Sequence, residues 1–197
     1  MEQRSEEWFA EKLGKITGTR AADLMGSPLA QKTLISILVS EIAMAQRKAS
    51  PLTQAMKRGI DMENEAREYY KIVHDTAVKE TAYIEHPKYS ICGCSPDGLV
   101  GENGGVEIKC LLPENHVRVF ILDDIDKKYA WQIKWNLFCT GREYWDYFGY
   151  CSDLPGDLIY YEKRFYAKDI DFEEIEKKLL KFTAQLNEFL DQFNLNI

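Results

Sequence analysis

The stretch that decides the fold is residues 94–110, which read CSPDGLVGENGGVEIKC. Its last five residues, 106–110, alternate apolar and charged side chains, with Glu107 and Lys109 as the charged members. On a β-strand, side chains two residues apart point to the same face. The alternation therefore predicts a strand with Glu107 and Lys109 together on one face and apolar residues on the other.

A hairpin turn is predicted just before this strand, at residues 102–105 (ENGG). Its glycines and Asn103 tolerate the positive φ that tight hairpins need. The hairpin can bring Asp97 beside Glu107 and Lys109. Two carboxylates repel each other at close range, and a divalent cation held by hard oxygen ligands removes that repulsion. Such an ion polarises a phosphate and lowers the pKa of bound water, while Lys109 orients the nucleophile or stabilises the developing charge.

A purely structural interpretation of the same residues is also open. Glu107 and Lys109 could be the exposed face of an amphipathic strand, and Asp97-Gly98 could be only a turn. An Asp followed ten residues later by Glu-x-Lys occurs often by chance. The spacing alone therefore leaves metal-dependent chemistry and a structural role as alternatives.

A carboxylate stands out in the long helix predicted at about residues 53–73, after the break at 49–51 (ASP). One face of this helix carries Glu63 among small and apolar residues, namely Met56, Gly59, Ala66 and Tyr70. A buried carboxylate costs free energy unless it is paired or binds a metal. Glu63 is therefore a metal ligand or the partner of Arg58 or Arg67, and taken alone the ion pair is favoured.

The rest of the chain mixes helical and strand-like patterns. Helices are predicted at about residues 5–13, 20–25, 30–46, 126–140 and 171–193. Strands are predicted at about residues 78–84, 89–92, 99–100, 144–150 and 158–165. The spacing in 30–46 indicates core packing alone. Aromatic residues at such spacings build a core more often than they stack on bases, and this applies to Trp131, Trp135 and Trp145.

The composition is that of a folded protein: 197 residues, 45% hydrophobic and 29% charged. This length predicts one domain, residues 1–197. No apolar run reaches the length of a membrane span, and the first residues are polar rather than a signal peptide. We therefore expect a cytoplasmic protein with no membrane partner.

Cysteine usage argues against both disulfides and zinc. The five cysteines are an odd number, which is not typical of a secreted disulfide framework. Cys92 and Cys94 are one residue apart, no second pair follows, and the three histidines are scattered. Reduced thiols are expected, and a structural zinc site is not.

The formal net charge of −7 counts against a polyanionic partner, because nucleic-acid affinity comes mostly from Lys and Arg on phosphates. Enzymes that hold divalent metals nevertheless concentrate carboxylates, and an acidic exterior is compatible with a basic groove. The charge is therefore an objection that the sequence leaves open.

Five separated segments together resemble the lambda-exonuclease family of phage recombination nucleases (YqaJ-type), and they are residues 8–19, 58–67, 94–99, 107–110 and 129–132. Their order and approximate spacing match, from about Trp8 to Trp145. The resemblance implies an α/β fold with a restriction-endonuclease-like core, in which helices flank a central mixed β-sheet. It also implies a nuclease that digests the 5′-ended strand of linear duplex DNA to mononucleotides and leaves a 3′ overhang.

The resemblance assigns the reaction centre. Asp97, Glu107 and the main-chain carbonyl of Ile108 would bind Mg²⁺, Glu63 would complete a site for a second Mg²⁺, and Mn²⁺ could substitute. Lys109 would serve the attacking water. Gln132 matches a family glutamine that supports the site. Related nucleases carry a tyrosine four residues later, where this chain has Asn136, and that departure puts the role of Gln132 in doubt.

The resemblance also implies a pocket for the terminal 5′-phosphate, which would fall on Ser95, Thr19 and Lys109 with a basic residue from the first helix. That position is Lys12, where arginine is expected. Lysine keeps the charge but loses the bidentate fork, so dependence on a 5′-phosphate is expected to be weaker or differently supported.

Assembly and partners are likewise implied by the resemblance: a ring-shaped homotrimer around DNA ends and a single-strand annealing protein, in the cytoplasm of a bacterial host. Two rival functions remain open. One is a site- or structure-specific endonuclease on the same core, which would cut closed circular DNA. The other is a catalytically idle DNA-binding module.

Overall fold

The computed structural model describes residue 3 and residues 5–47 and 52–195. Seven α-helices are present in these residues: α1 (Glu6–Glu11), α2 (Ala21–Leu24), α3 (Pro28–Met44), α4 (Gln54–His74), α5 (Pro113–Leu122), α6 (Lys127–Thr140) and α7 (Phe172–Gln192). Seven strands accompany them: β1 (Val78–Lys79), β2 (Ile84–Glu85), β3 (Gly93–Cys94), β4 (Gly98–Val100), β5 (Gly104–Lys109), β6 (Tyr144–Tyr150) and β7 (Tyr160–Tyr166).

The main sheet has the strand order β1-β4-β5-β6-β7, so β5 lies at its centre. β5 pairs antiparallel with β4 and parallel with β6, which makes the sheet mixed. A parallel pair needs a crossover connection, and α5 and α6 provide it between β5 and β6. The predicted mixed sheet flanked by helices is confirmed, as are the hairpin β4–β5 and its strand β5.

The two faces of the sheet follow the predicted alternation of β5. Val106 and Ile108 pack with Ala66 and Tyr70 of α4 in one apolar cluster. Glu107 points to the other face, where Asn136 of α6 contacts it. This face is covered by a second apolar cluster whose members include Ile133, Leu137, Trp145 and Tyr147.

A third apolar cluster joins the N-terminal segment to α2, α3, α6 and α7. Ile16 forms an isolated parallel bridge with Cys92, in which its N–H donates to the Ile91 carbonyl at 2.8 Å. Trp135 is buried in this cluster, Trp131 packs against it, and Trp145 is buried in the cluster beside α6. The core interpretation of the three tryptophans agrees with this packing.

Several predicted elements were wrong. Residues 78–84 are not one strand: β1 pairs with β4, whereas β2 pairs with β3 in a separate two-stranded sheet. The strand predicted at 89–92 is displaced to Gly93–Cys94. No helix was predicted at α5, although Pro113 stands at its first turn, where the fixed φ of proline favours a helix start.

The turn before β5 also differs from its prediction. Its left-handed residue is Gly101, with φ 52°, rather than Asn103 or the following glycines. Gly104 and Gly105 already belong to β5. A Cβ on Gly104 would lie 2.1 Å from the ring of Tyr144, and one on Gly105 would lie 2.5 Å from the ring of Trp145. These glycines are therefore required by aromatic rings on β6 rather than by the turn.

The break predicted at 49–51 lies outside the described residues. Among the helices that the structure does describe, none has both the length and the apolar character that crossing a membrane requires.

Candidate active site

The central strand and the hairpin bring four of the predicted residues together. Asp97 immediately precedes β4, and its Oδ2 accepts a hydrogen bond of 2.8 Å from the N–H of Ile108. Lys109 donates to Glu107 Oε1 and, at 3.2 Å, to the carbonyl oxygen of Ile108. Its Nζ lies 3.8 Å from Asp97 Oδ2. The carbonyl and the two carboxylates therefore surround a single ammonium group.

Glu107 is fully buried, so the interpretation of this strand face as merely exposed is wrong for that residue. Two amides from α6 complete its hydrogen bonds: Gln132 donates to Oε1, and Asn136 donates to Oε2 at 3.0 Å. Asn136 thus supplies a donor at the position where a tyrosine was expected. Gln132 nevertheless lies where a supporting residue should, because it contacts Glu107 directly.

Burial controls the protonation of this group of residues. Burial, and then the charge of Asp97, raise the pKa of Glu107 to about 8. Burial alone would lower the pKa of Lys109, but Glu107 and Asp97 outweigh it and raise that pKa instead. The carboxylates therefore hold Lys109 in its charged form. Lys109 only partly offsets the burial of Glu107, so a further cation is needed to keep Glu107 fully ionised at neutral pH.

The donor set suits a hard divalent cation. Asp97, Glu107 and the carbonyl of Ile108 present oxygen atoms to the Lys109 ammonium, which stands in for a metal cation among them. Oxygen ligands of this kind are what Mg²⁺ prefers. Within the described residues, no three Asp, Glu, His or Cys side chains converge to form a metal site. The fit therefore rests on two carboxylates and one carbonyl.

Glu63 lies close to this centre and pairs with Arg67. Arg67 donates to Glu63 Oε1 at 2.9 Å, and the same guanidinium donates through Nε to the Asp97 carbonyl at 3.2 Å. Burial, followed by the charges of Glu63 and Asp97, raises the pKa of the Cys110 thiol to about 12, which places both carboxylates near the end of β5. The structure thus contains an ion pair of Glu63, and its partner is Arg67, one of the two arginines that the sequence suggested.

We expect Gln132→Ala to lower the rate of phosphodiester cleavage by about 10- to 100-fold, the usual effect of removing a group that orients a metal ligand. The loss should appear partly as a higher metal concentration needed for half-maximal rate. Lys134→Ala is the matched control, because Lys134 is on the same helix but lies over the ring of Trp131. A metal titration of both variants would contradict this role if the Gln132 variant matched the control.

The predicted phosphate pocket is anchored by a tryptophan that sequence reasoning missed. Trp8 Nε1 donates to Ser95 Oγ at 3.0 Å, and Lys12 Nζ lies 3.4 Å from the centre of the Trp8 ring. Lys12 is only 7% exposed, and it forms no ion pair with a described carboxylate. A buried cation of this kind is suited to an anionic ligand.

Thr19 is exposed and lies two residues after the buried Thr17. Its hydroxyl is 3.3 Å from that of Thr17. Between them, a Cβ on Gly18 would lie 3.0 Å from Gln132 Cγ and 3.1 Å from Asn136 Oδ1. The backbone of residues 17–19 therefore packs directly on the two amides that hold Glu107.

Helix α3 does more than pack in the core, which corrects the expectation for residues 30–46. Glu41 is buried, accepts two hydrogen bonds from Arg20, and lies 3.9 Å from Arg47. Arg47 also donates to the carbonyl of Lys12 at 3.2 Å. Glu41 could have been recognised from the sequence because, like Glu63, it is a carboxylate on a largely apolar helix face.

We expect Lys12→Met to stabilise the protein at neutral pH. Burial, then Arg47 and Arg20, lower the pKa of Lys12 from its ordinary 10.5 to about 7, so protonating it costs free energy in the folded state. The unfolded chain binds this proton up to pH 10.5, so wild-type stability gains from Lys12 deprotonation as pH rises from about 7 to 10.5. The advantage of Lys12→Met is therefore largest below pH 7 and shrinks towards pH 10.5.

Urea unfolding between pH 6 and 10 measures this difference. Lys181→Met is the control, since Lys181 is exposed on α7 and should give no such pH-dependent gain. A constant difference between Lys12→Met and wild type across the range would show that the ammonium is not the source.

Comparison with known proteins gives consistent matches. A family model described as the YqaJ-like viral recombinase domain matches residues 7–143. Two crystal structures of the alkaline exonuclease LHK-Exo from Laribacter hongkongensis, one in complex with dAMP, are similar at TM-score 0.90, with 33% identity over 96% of each chain. A phage related exonuclease from Haemophilus somnus 129PT shares the fold, at TM-score 0.72 and 11% identity over 91% of this chain and 94% of that one. No curated protein matches this chain.

Proposed function

This chain belongs to the YqaJ-like viral recombinase domain family, and from that premise we propose that it is a magnesium-dependent exonuclease that digests the 5′-ended strand of linear duplex DNA. The observation that carries the proposal is the arrangement of Asp97, Glu107 and the Ile108 carbonyl around the Lys109 ammonium. The 33% identity to an alkaline exonuclease over 96% of both chains supports it.

The proposed reaction assigns a role to each residue of the centre. Asp97, Glu107 and the Ile108 carbonyl would hold a divalent ion, which would polarise the scissile phosphate and lower the pKa of water. Lys109 would orient the attacking water or stabilise the charge that develops on the phosphate. Gln132 and Asn136 fix the Glu107 carboxylate, so its oxygen atoms do not reorient during the reaction.

A second Mg²⁺ site at Glu63 is part of the proposal. It requires Glu63 to exchange its hydrogen bond with Arg67 for the ion, with Mn²⁺ as an alternative metal. The terminal 5′-phosphate would bind near Lys12, Ser95 and Thr19. Lys12 is buried and lacks a described carboxylate partner, so a phosphate would supply the missing negative charge.

We retain the wider proposals that residues 1–197 form a single nuclease domain, that three copies form a ring around DNA, and that the 3′ overhang passes to a single-strand annealing protein in a bacterial cytoplasm. A ring would explain how an acidic chain of net charge −7 retains DNA. Such a ring needs basic groups only on its inner surface.

The test is digestion of linear and covalently closed circular duplex DNA with Mg²⁺, using linear ends with and without a 5′-phosphate. Mononucleotides released only from linear DNA, faster with the phosphate, are the expected result. Strand-specific end labels report the polarity. Cleavage of the circle would instead establish the endonuclease, and cleavage of neither substrate would leave a binding module.

A further inference from the structure

A cavity of about 500 Å³ lies beside the candidate centre, between α5, the start of α6 and strand β6. Its walls include apolar side chains from Val119 and Ile125 and the aromatic rings of Tyr129 and Tyr147. Arg118 and Lys127 lie at its rim. None of these residues has a role in the reaction described above.

The cavity and the terminal-phosphate pocket lie at opposite ends of the centre. Tyr129 lines the cavity, and its ring centre is 5.4 Å from Lys109 Nζ. One turn later on α6, Gln132 contacts Glu107. Further along, Trp135 donates to the carbonyl of Gly93, next to the segment that carries Ser95. Moving along α6 therefore leads from the cavity, past the carboxylates, to the phosphate pocket.

The charges around the cavity favour an anionic ligand. Its two acidic residues are neutralised by neighbouring lysines: Asp124 pairs with Lys163 at 2.9 Å, and Asp126 with Lys128 at 3.5 Å. No carboxylate in the described part of the chain pairs with Arg118 or Lys127. The N-terminus of α6, a helix of 14 residues, adds its partial positive charge at the same place.

A buried hydroxyl also lacks a partner there. Tyr147 is fully buried, pairs in register with Glu107, and lines the cavity, yet its hydroxyl has no hydrogen-bond partner among the described residues. Leaving a buried hydroxyl unsatisfied costs free energy, so such a group often marks the place of a ligand or water.

We propose that this cavity binds the nucleotide that follows the scissile bond in the cleaved strand, with Arg118 on its phosphodiester. The inference rests on the proposed exonuclease function. With the terminal phosphate at Lys12 and the scissile phosphate at Asp97 and Glu107, the next linkage extends past Lys109 towards Tyr129. The bound nucleotide and its phosphodiester would then accept hydrogen bonds from Arg118 and from the Tyr147 hydroxyl, for which the described residues provide no acceptor.

The test asks whether Arg118 contacts the phosphate that follows the scissile one. Binding of a 5′-phosphorylated linear duplex is measured by fluorescence anisotropy in EDTA, with and without a neutral methylphosphonate at the linkage after the scissile one. For wild type we expect the methylphosphonate to weaken binding about three- to tenfold. Arg118→Ala should bind the natural duplex correspondingly less well, lose about one unit of the salt-dependence slope, and show no further loss with the methylphosphonate.

Lys177→Ala removes an exposed positive charge on α7 and should keep the full methylphosphonate effect.

Tyr147→Phe should weaken duplex binding about threefold without lowering stability. Equal methylphosphonate losses in wild type and Arg118→Ala would overturn the inference, as would a Tyr147→Phe protein that binds the duplex as tightly as wild type. Digestion of linear duplex by wild type in Mg²⁺ tests the underlying function separately, so failure of the subsite and failure of the exonuclease give different results.

Discussion

Replacing Lys109 with alanine is expected to lower phosphodiester cleavage at least about a thousandfold while leaving the protein folded. Lys109 is the only described ammonium that contacts both Glu107 and the Ile108 carbonyl, and it lies 3.8 Å from Asp97. The two carboxylates and the carbonyl hold the Lys109 ammonium in one position. A water molecule or a cation from the solvent does not reproduce that position. Cleavage therefore loses the group that orients the nucleophile or stabilises the developing charge.

The fold should survive this change because the remaining contacts of the two carboxylates are intact. Glu107 keeps its donors from Gln132 and Asn136, and Asp97 keeps the N–H of Ile108. With the pKa of Glu107 already raised to about 8, a proton can replace the lost ammonium. Circular dichroism and urea unfolding check the fold, and nucleotide release measures the rate. Turnover at the wild-type rate in a folded Lys109→Ala protein would remove this residue from the reaction.

Replacing Glu107 with glutamine is expected to abolish binding of the divalent ion and to reduce cleavage at least about a thousandfold. Glutamine keeps the size of the side chain but removes the charge that a hard cation requires. Its amide nitrogen would face a donor from α6, and rotation of the Asn136 amide by half a turn can present an oxygen instead. The variant should therefore fold, since it also removes a fully buried charge.

Calorimetric titration with Mg²⁺ and magnetic resonance of bound Mn²⁺ measure the metal directly, without relying on activity. Asp97→Asn should behave in the same way, because asparagine can still accept from the Ile108 N–H while lacking the charge. Glu143→Gln, on an exposed residue before β6, is the control for the loss of one negative charge. Metal binding at wild-type strength in both carboxylate variants would show that the ion binds elsewhere.

The parts of the site that are local in sequence were predictable from it. The alternation in 106–110 gave the face of Glu107 and Lys109, and the hairpin gave the position of Asp97, because both follow from the period of a strand and a short connection. Glu63 was recognisable as a carboxylate on a mainly apolar helix face. Its pairing with Arg67 rather than Arg58 is also local, because Arg67 follows Glu63 by four residues on the same helix.

The contacts between distant segments were not predictable. Trp8 reaches Ser95 across 87 positions, and Arg20 reaches Glu41 only because α3 packs beside the N-terminal segment. No local pattern specifies which helix face meets which loop. The division of residues 78–84 between two sheets has the same origin, since pairing partners rather than strand propensity decided where β1 ends.

The close packing of Gly18 on Gln132 and Asn136 has a consequence for how such an enzyme could be altered. The same three residues, 17–19, present Thr19 to the proposed terminal phosphate and press on the amides that hold the buried carboxylate. A substitution that redesigns which DNA ends are accepted would also shift those amides and thereby change turnover. Evolution or engineering would thus have to change end selectivity and catalytic rate together, through compensating substitutions on α6.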